Sequence, residues 1–201
     1  MAYLFIISLS ALGIALGNFL ADGVYTERAF FSLFFYTVLG VISVIAIDGV
    51  LAFLIRRLPE GWFKPGARAF AVSDKEAHLY RRLKINKWKR HVPELGCFTG
   101  FHKDTLRDTK SASYLARFLL ESNYGVLGHL AGALLGFLIL LLPFLRPRAM
   151  ALPIAIINFI LNLLPTFILR ANTPALFRLY QRSLAREKKE AHESTPERST
   201  L

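Results

Sequence analysis

The sequence predicts an all-α integral membrane protein with four transmembrane helices and a basic cytoplasmic loop that contains interfacial helices. Hydrophobic residues make up 54% of the chain and concentrate in four runs, at 2–20, 29–55, 124–145 and 149–169. Each run reaches or approaches the roughly 20 residues that a helix needs to cross about 30 Å of hydrocarbon. In addition, 15 of the 25 Lys and Arg residues lie between the second and third runs, in segment 56–123.

The second run is the strongest of the four, because its 27 residues contain a single charge, Asp48. A buried helix of a soluble domain is normally shorter and carries polar residues on one face. The first run has the hydrophobicity of a signal peptide, but no Lys or Arg precedes Arg28. We therefore expect the first run to be retained as a helix. A short turn at 146–148 predicts that the last two spans are antiparallel neighbours.

The distribution of basic residues predicts the orientation in the membrane. The net charge is +11, and 22 of the 25 basic residues lie in segment 56–123 or in the tail from Arg170. The other three are Arg28, Arg146 and Arg148. Because basic segments stay on the cytoplasmic side, we expect a multi-pass protein of the cell membrane with the loop and both termini in the cytoplasm. This basic face favours membrane lipids as partners, and nucleic acid is not expected.

The domain organisation is predicted to be simple. Residues 1–185 form one membrane domain, and the charged residues 186–201 form a disordered tail. The only cysteine, Cys97, excludes an internal disulfide and a multi-cysteine metal site. The loop histidines lack metal-ligand spacing, so no metal is assigned.

Two helices are predicted inside the basic loop. The first covers 73–90, with Ser73 or Asp74 as its N-cap and Glu76 in its first turn. Its few apolar residues lie among many basic ones, which is typical of a helix along the membrane interface. The second begins at about Ala112 and has no stop before the third span. A glycine repeat in that span, at Gly128, Gly132 and Gly136, predicts close helix packing.

The sharpest local feature places Glu121 and His129 where the basic loop enters the membrane. Ionisable groups at this depth are costly and often functional, and a carboxylate and an imidazole both serve as general acids or bases. Their spacing puts them about 12 Å apart along a continuous helix, so they meet only if the helix breaks, for example at Gly125. The structural alternative is that Glu121 pairs with a loop arginine and His129 hydrogen-bonds a neighbouring helix.

The candidate substrate-binding residues are Lys87, Trp88, Lys89, Arg90, Asn162, Arg170 and Asn172. The first four combine an aromatic ring with cations, which fits either a membrane anchor or a cradle for phosphates. The last three lie in the inner half and at the end of the fourth span. They fit either hydrogen bonding between helices or binding of a polar substrate at the interface.

Three blocks resemble the glycosyl-4,4'-diaponeurosporenoate acyltransferase family. They are Lys-Trp-Lys-Arg-His-Val-Pro-Glu-Leu-Gly from Lys87, the Glu121…His129 segment, and Asn162…Arg170-Ala-Asn-Thr-Pro. The resemblance covers about half of the chain, 80–179. It implies transfer of a fatty acyl group from acyl-CoA or acyl carrier protein to a hydroxyl of a glycosylated membrane lipid or carotenoid. These are substrates, and no cofactor is expected.

The resemblance also implies roles for the candidate residues. His129 or Glu121 would deprotonate the attacking hydroxyl. The complementary group, or Arg170 with Asn172, would stabilise the oxyanion or orient the sugar. Lys87, Lys89 and Arg90 would receive the donor phosphates. Val126 and Leu130 depart from the family pattern, which leaves both a carotenoid glycoside and another glycosylated lipid open as the acceptor.

The alternative hypothesis is a non-enzymatic four-helix protein that binds lipids or serves as an accessory membrane subunit. In that case packing is the function. Substitution of His129 would be tolerated, whereas Gly128, Gly132 or Gly136 would be sensitive. The sequence does not predict the oligomeric state.

Overall fold

The computed structural model describes residues 2–23, 30–92, 106, 108–145 and 150–193. All regular secondary structure in these segments is helical, which confirms the all-α prediction. The helices are α1 Ala2–Asn18, α2 Phe30–Ile55, α3 Asp74–Arg82, α4 Ile85–Trp88, α5 Ala112–Leu135 and α6 Ala151–Glu193. Of the residues named above, Arg28, Cys97, Arg146 and Arg148 lie outside the described part. So do residues 93–96 of the first motif, the turn predicted at 146–148 and the tail after Glu193.

Three helical segments are long and apolar enough to cross a bilayer. They are Phe30–Ile55, Ala112–Leu141 and Ala151–Glu193, the second of which adds the 3-10 turns Gly136–Leu141 to α5. Large apolar side chains project from them, and Phe31 is 81% exposed. Hydrocarbon, unlike water, accommodates such a surface without cost. The apolar helix Phe5–Ala21 is shorter, so the fourth span stays a prediction.

Helix α6 continues well beyond the predicted fourth span and into the predicted disordered tail. Its 43 residues extend to Glu193, so disorder is the wrong prediction for 186–193. Two ion pairs at helical i,i+4 spacing stabilise this charged end. Arg186 contacts Glu190 at 3.4 Å, and Lys189 contacts Glu193 at 3.6 Å.

The described residues divide into two compact units. The apolar unit comprises the described parts of 1–58, 90–93 and 126–167. The basic unit comprises the described parts of 59–89, 94–125 and 168–201. Helices α5 and α6 each contribute to both units. The single domain expected over 1–185 stays a prediction.

Each unit has its own apolar core. The core of the apolar unit joins Leu33 and Val44 of α2 to Ile154 of α6 and to neighbouring residues. In the basic unit, Phe118 and Leu119 of α5 pack with Leu176, Phe177 and Tyr180 of α6. The latter contacts explain why α6 remains helical after the predicted membrane span ends, because they bury one of its faces.

The helix predicted over 73–90 begins as predicted but is interrupted. The Ser73 hydroxyl accepts a hydrogen bond from the Glu76 backbone N–H at 3.2 Å and caps α3. The single helix predicted over 73–90 is wrong, because α3 ends at Arg82 and Lys84 adopts a left-handed backbone with φ 52°. That conformation cannot continue a right-handed helix. The chain therefore restarts as the short helix α4.

Candidate functional site

A chain of polar side chains crosses the apolar unit. Asp48 comes from α2, His129 from α5 and Asn162 from α6. The Asn162 amide nitrogen donates to Asp48 Oδ2 at 2.9 Å, and its amide oxygen lies 3.0 Å from His129 Nδ1. Polar and charged groups in membrane helices are expensive unless they meet partners of this kind. The arrangement therefore joins three helices through one hydrogen-bonded chain.

The chemistry of these groups fixes the direction of the hydrogen bonds. The backbone carbonyl oxygen of Asn158 only accepts and lies 3.2 Å from Asn162 Nδ2, so the amide nitrogen of Asn162 lies on the side of Asp48 and its amide oxygen faces His129. The amide oxygen also only accepts, so His129 donates from Nδ1. A neutral imidazole with its proton on Nδ1 carries its basic lone pair on Nε2. The chain Asp48–Asn162–His129 thus sets the tautomer in which Nε2 is the base.

A second asparagine holds Asn162 in place. The Asn162 amide nitrogen also lies 3.1 Å from Asn158 Oδ1, and Asn158 Nδ2 donates to the Gly132 carbonyl oxygen at 3.1 Å. Both asparagines are buried. Because Asn158 is tied to the backbone of α5, it restricts the rotation of the Asn162 side chain. For Asn162 the sequence left two roles open, hydrogen bonding between helices and binding of a polar substrate, and these contacts match the first; its role toward substrate stays a prediction.

Glycine at position 132 makes the close approach possible. A Cβ atom at Gly132 would lie 2.7 Å from Asp48 Oδ1 and 3.2 Å from Asn162 Oδ1, closer than side chains normally pack. A Cβ at Gly136 would likewise run into Asn158 Nδ2. One turn before Gly132, a Cβ at Gly128 would have no atom within 4 Å. Two of the three glycines of the repeat, Gly132 and Gly136, therefore provide the space that the polar chain needs.

The second predicted acid–base residue, Glu121, lies on the same helix as His129. Helix α5 runs through Gly125 without a break. The break that would bring Glu121 and His129 together is therefore absent, and their eight-residue spacing leaves them about 12 Å apart along the helix axis. The hydrogen bond from His129 to another helix matches the structural alternative for that residue. It also orients the ring, which a general base requires.

In the basic unit, the predicted substrate ligand Arg170 forms an ion pair with Glu76. Its Nε and Nη2 atoms both donate to the carboxylate, the latter at 2.7 Å, and Nη2 also lies 3.2 Å from the Ala71 carbonyl oxygen. The Tyr80 hydroxyl donates to the same carboxylate. These contacts fix Arg170 to the start of α3. Its predicted role toward substrate stays a prediction.

The ion pair perturbs the titration of its neighbours outside the membrane spans. Hydrogen bonding from Arg170 holds the pKa of Glu76 below its ordinary value, against the opposing effect of burial. Burial and the hydrogen bond to the Glu76 carboxylate raise the pKa of Tyr80 to about 12. Both groups therefore keep one protonation state at neutral pH: Glu76 is ionised and Tyr80 is neutral.

We expect Glu76→Gln to destabilise the basic unit by roughly 1–3 kcal/mol at pH 7, because the half-buried Arg170 loses its charged partner. A depressed folded-state pKa gives stability that is present above the unfolded pKa and is lost as pH falls through the folded pKa. The variant and the wild type should therefore differ in Tm at pH 7 and converge in acid. The control is Glu60→Gln, at an exposed position. An equal Tm of Glu76→Gln and wild type at pH 7 would contradict a stabilising ion pair.

Two other predicted ligands meet in the basic unit. Lys89 Nζ donates to Asn172 Oδ1 at 3.2 Å. The indole N–H of Trp88 donates to the Leu83 carbonyl oxygen at 3.0 Å, and Lys87 is exposed. The sequence placed the lysine and the asparagine in separate motifs, 83 residues apart. Within the described residues, no group of three His, Cys, Asp or Glu side chains is placed to hold a metal ion.

Comparison with known protein families decides the class of this protein. The family described as Glycosyl-4,4'-diaponeurosporenoate acyltransferase matches residues 59–182, which is more than half of the chain. The chain belongs to this family. No curated protein and no solved structure matches the chain.

Membership of the glycosyl-4,4'-diaponeurosporenoate acyltransferase family confirms the resemblance seen in the sequence. It assigns the chain to acyltransferases of carotenoid glycosides, in agreement with its apolar helices. The matched segment contains all nine candidate site residues, including Glu121 and His129. Asp48 lies before this segment, and the sequence identified it only as the single charge of the second apolar run. As the only charge in α2, it required a polar partner inside the membrane.

Proposed function

We propose that this chain moves a fatty acyl group from an acyl thioester to a sugar hydroxyl of a carotenoid glycoside, with His129 as the general base. The observation that carries this proposal is the hydrogen-bonded chain from Asp48 through Asn162 to His129 Nδ1. It directs the basic lone pair to Nε2 and anchors the ring between membrane helices. Family membership supplies the class of reaction.

In the proposed step, His129 Nε2 takes the proton of the sugar hydroxyl as its oxygen attacks the thioester carbonyl carbon. A C–O bond forms and the C–S bond then breaks, which releases the thiolate. The imidazolium returns its proton to this sulfur, so the products are an ester and a free thiol. Asn162 keeps the ring oriented through both transfers, and the negative charge of Asp48 stabilises the transient imidazolium.

The donor is expected to be acyl-CoA or acyl carrier protein, and both present a thioester that needs no further cofactor. Lys87, Lys89 and Arg90 are proposed to attract the donor phosphates. Trp88 is proposed to complete this cradle. The donor would arrive from the cytoplasm and the acceptor laterally through the bilayer, where the basic loop faces the cytoplasmic leaflet.

The remaining candidates are assigned supporting roles. Glu121 is the alternative acid–base group: in place of His129, its carboxylate would take the hydroxyl proton and return it to the thiolate. Arg170 and Asn172 are proposed to orient the sugar or to stabilise the oxyanion. Of the two, Arg170 already donates three hydrogen bonds, two to Glu76 and one to Ala71. Asn172 Oδ1 accepts a hydrogen bond from Lys89, so the amide nitrogen of Asn172 is the atom that would donate to the sugar or to the oxyanion.

The test uses membranes that contain or lack the full chain. Each is incubated with glycosyl-4,4'-diaponeurosporenoate and with either labelled acyl-CoA or labelled acyl carrier protein. We expect label to appear in the carotenoid fraction only when the chain is present, and mild alkali to release it as a free fatty acid because the new bond is an ester. A parallel reaction with a second glycolipid tests which acceptor the protein uses. Equal labelling with and without the chain, for both donors, would contradict the proposed function and favour the non-enzymatic alternative.

A further inference from the structure

The basic unit contains a cavity that the proposed chemistry at His129 does not use. Its volume is about 340 Å³, and it lies between segment 65–72 and one face each of α5 and α6. Apolar side chains form most of the wall, among them Phe70, Leu119 and Phe177. This volume lies at the small end of the range of ligand pockets, which is about 300–1,000 Å³. The cavity therefore suits a narrow, largely apolar group.

One polar side chain in the wall is buried and incompletely bonded. Asn123 is 3% exposed, and its amide nitrogen donates to the Phe63 carbonyl oxygen at 2.9 Å. Because a carbonyl oxygen only accepts, this bond fixes the orientation of the amide. The other amide atom, Oδ1, is buried and accepts no hydrogen bond within the described part of the chain. A buried acceptor of this kind favours a ligand that brings an N–H or O–H donor.

A cation completes the lining of the cavity. Arg178 lies in the lining and is exposed to solvent, unlike the buried Asn123. A guanidinium at the solvent side suits a phosphate, because it offers several donors in one plane. The lining therefore favours a ligand with three features: an apolar body, a hydrogen-bond donor that reaches the interior of the cavity, and an anionic group at the end that faces solvent.

We propose that this cavity binds the 4'-phosphopantetheine arm of the acyl donor. An amide N–H of the arm donates to Asn123 Oδ1, its aliphatic parts contact Phe70 and Phe177, and its phosphate pairs with Arg178. Lys87, Lys89 and Arg90 then attract only the further phosphates of an acyl-CoA. This inference rests on the proposed function, since only an acyl thioester would bring the arm to this protein. A sugar is a poor occupant because its many hydroxyls would face apolar walls. A bare fatty chain brings no donor for Asn123.

The ion pair described above supports one wall of this cavity. Arg170 Nη2 lies 3.2 Å from the carbonyl oxygen of Ala71, a lining residue. On the same side, Gly66 has φ +83°, and a Cβ there would lie 3.3 Å from the ring of Phe177. The hydrogen bond from Arg170 ties this wall to α6, and the missing side chain at Gly66 leaves room for the ring of Phe177.

The test measures binding to the full chain in nanodiscs of zwitterionic lipid, without an acceptor. The probes are 4'-phosphopantetheine, pantetheine without the phosphate, coenzyme A and 3',5'-ADP. We expect Asn123→Leu to weaken binding of both arms about tenfold, the effect of one hydrogen bond. Arg178→Ala should weaken the binding of 4'-phosphopantetheine about tenfold and leave the binding of pantetheine unchanged. The matched control is Arg182→Ala, exposed one turn later on α6.

The same probes distinguish the two sources of the arm. Tighter binding of coenzyme A than of 4'-phosphopantetheine, with competition by 3',5'-ADP, identifies acyl-CoA as the donor. Equal binding of the two identifies an arm presented without a nucleotide, as on a carrier protein. Either result supports the cavity as the site. No binding of 4'-phosphopantetheine to the wild type, or equal binding to wild type and Arg178→Ala, would overturn it.

Failure of this inference is separable from failure of the proposed function. If the arm binds with the expected variant pattern but no acyl group is transferred, the site stands and the proposed reaction falls. If transfer occurs and the KM for the acyl donor is unchanged in both Asn123→Leu and Arg178→Ala, the reaction stands and this cavity is not the donor site. Because Arg178 is exposed, its substitution keeps the test valid even if Asn123→Leu does not fold.

Discussion

Replacement of His129 by alanine is expected to lower kcat for acyl transfer by about 10²–10⁴-fold, the usual contribution of a general base. The imidazole is the group of the Asp48–Asn162–His129 chain to which the proposed mechanism assigns both proton transfers. Alanine removes it and leaves the other two residues paired with each other. The measurement is the initial rate of ester formation in membranes, normalised to the amount of folded protein.

Two further variants are needed to interpret that result. Leu130→Ala is the matched control, because Leu130 is the next residue of α5 and is exposed. Glu121→Gln tests the second candidate on the same helix. If Glu121→Gln loses activity while His129→Ala keeps the wild-type rate, the base is in the basic unit and the mechanism proposed for His129 is wrong. Full activity in both would remove both residues from the reaction.

The second large effect is expected from a single methyl group at Gly132. Gly132→Ala places a Cβ 2.7 Å from Asp48 Oδ1, so the carboxylate must move away from its partner Asn162. Misplacement of a catalytic group by about 1 Å can cost on the order of 10²-fold in rate. We expect a loss of that order in kcat, with little change in KM for the acyl donor. The readout is the steady-state rate as a function of donor concentration.

Gly128→Ala is the matched control on the same helix, because a Cβ at position 128 meets no atom within 4 Å. We expect this variant to have nearly the wild-type rate. Wild-type activity in both alanine variants would show that Asp48 does not act through this contact. Equal loss in both would favour general packing of glycine faces, which the non-enzymatic alternative predicted.

Much of the architecture could be predicted from single segments of sequence. An uninterrupted apolar run such as 29–55 identifies its helix because no soluble environment suits it. Ser73 followed by Glu76 identifies the start of α3, since capping depends on residues three apart. The interruption of the helix predicted over 73–90 was not predictable in the same way, because nothing in the residue type of Lys84 requires a left-handed backbone.

The family, the apolar helices and the candidate status of His129 could be predicted from the sequence, because motifs, hydropathy and residue types are local properties. The pairings became visible only in the folded chain: Asp48 with Asn162, 114 residues apart, and Glu76 with Arg170, 94 residues apart. The physical reason is that a membrane helix is apolar on most of its faces. Its rotation, and hence the partner of each polar side chain, is set by packing against the other helices rather than by its own sequence.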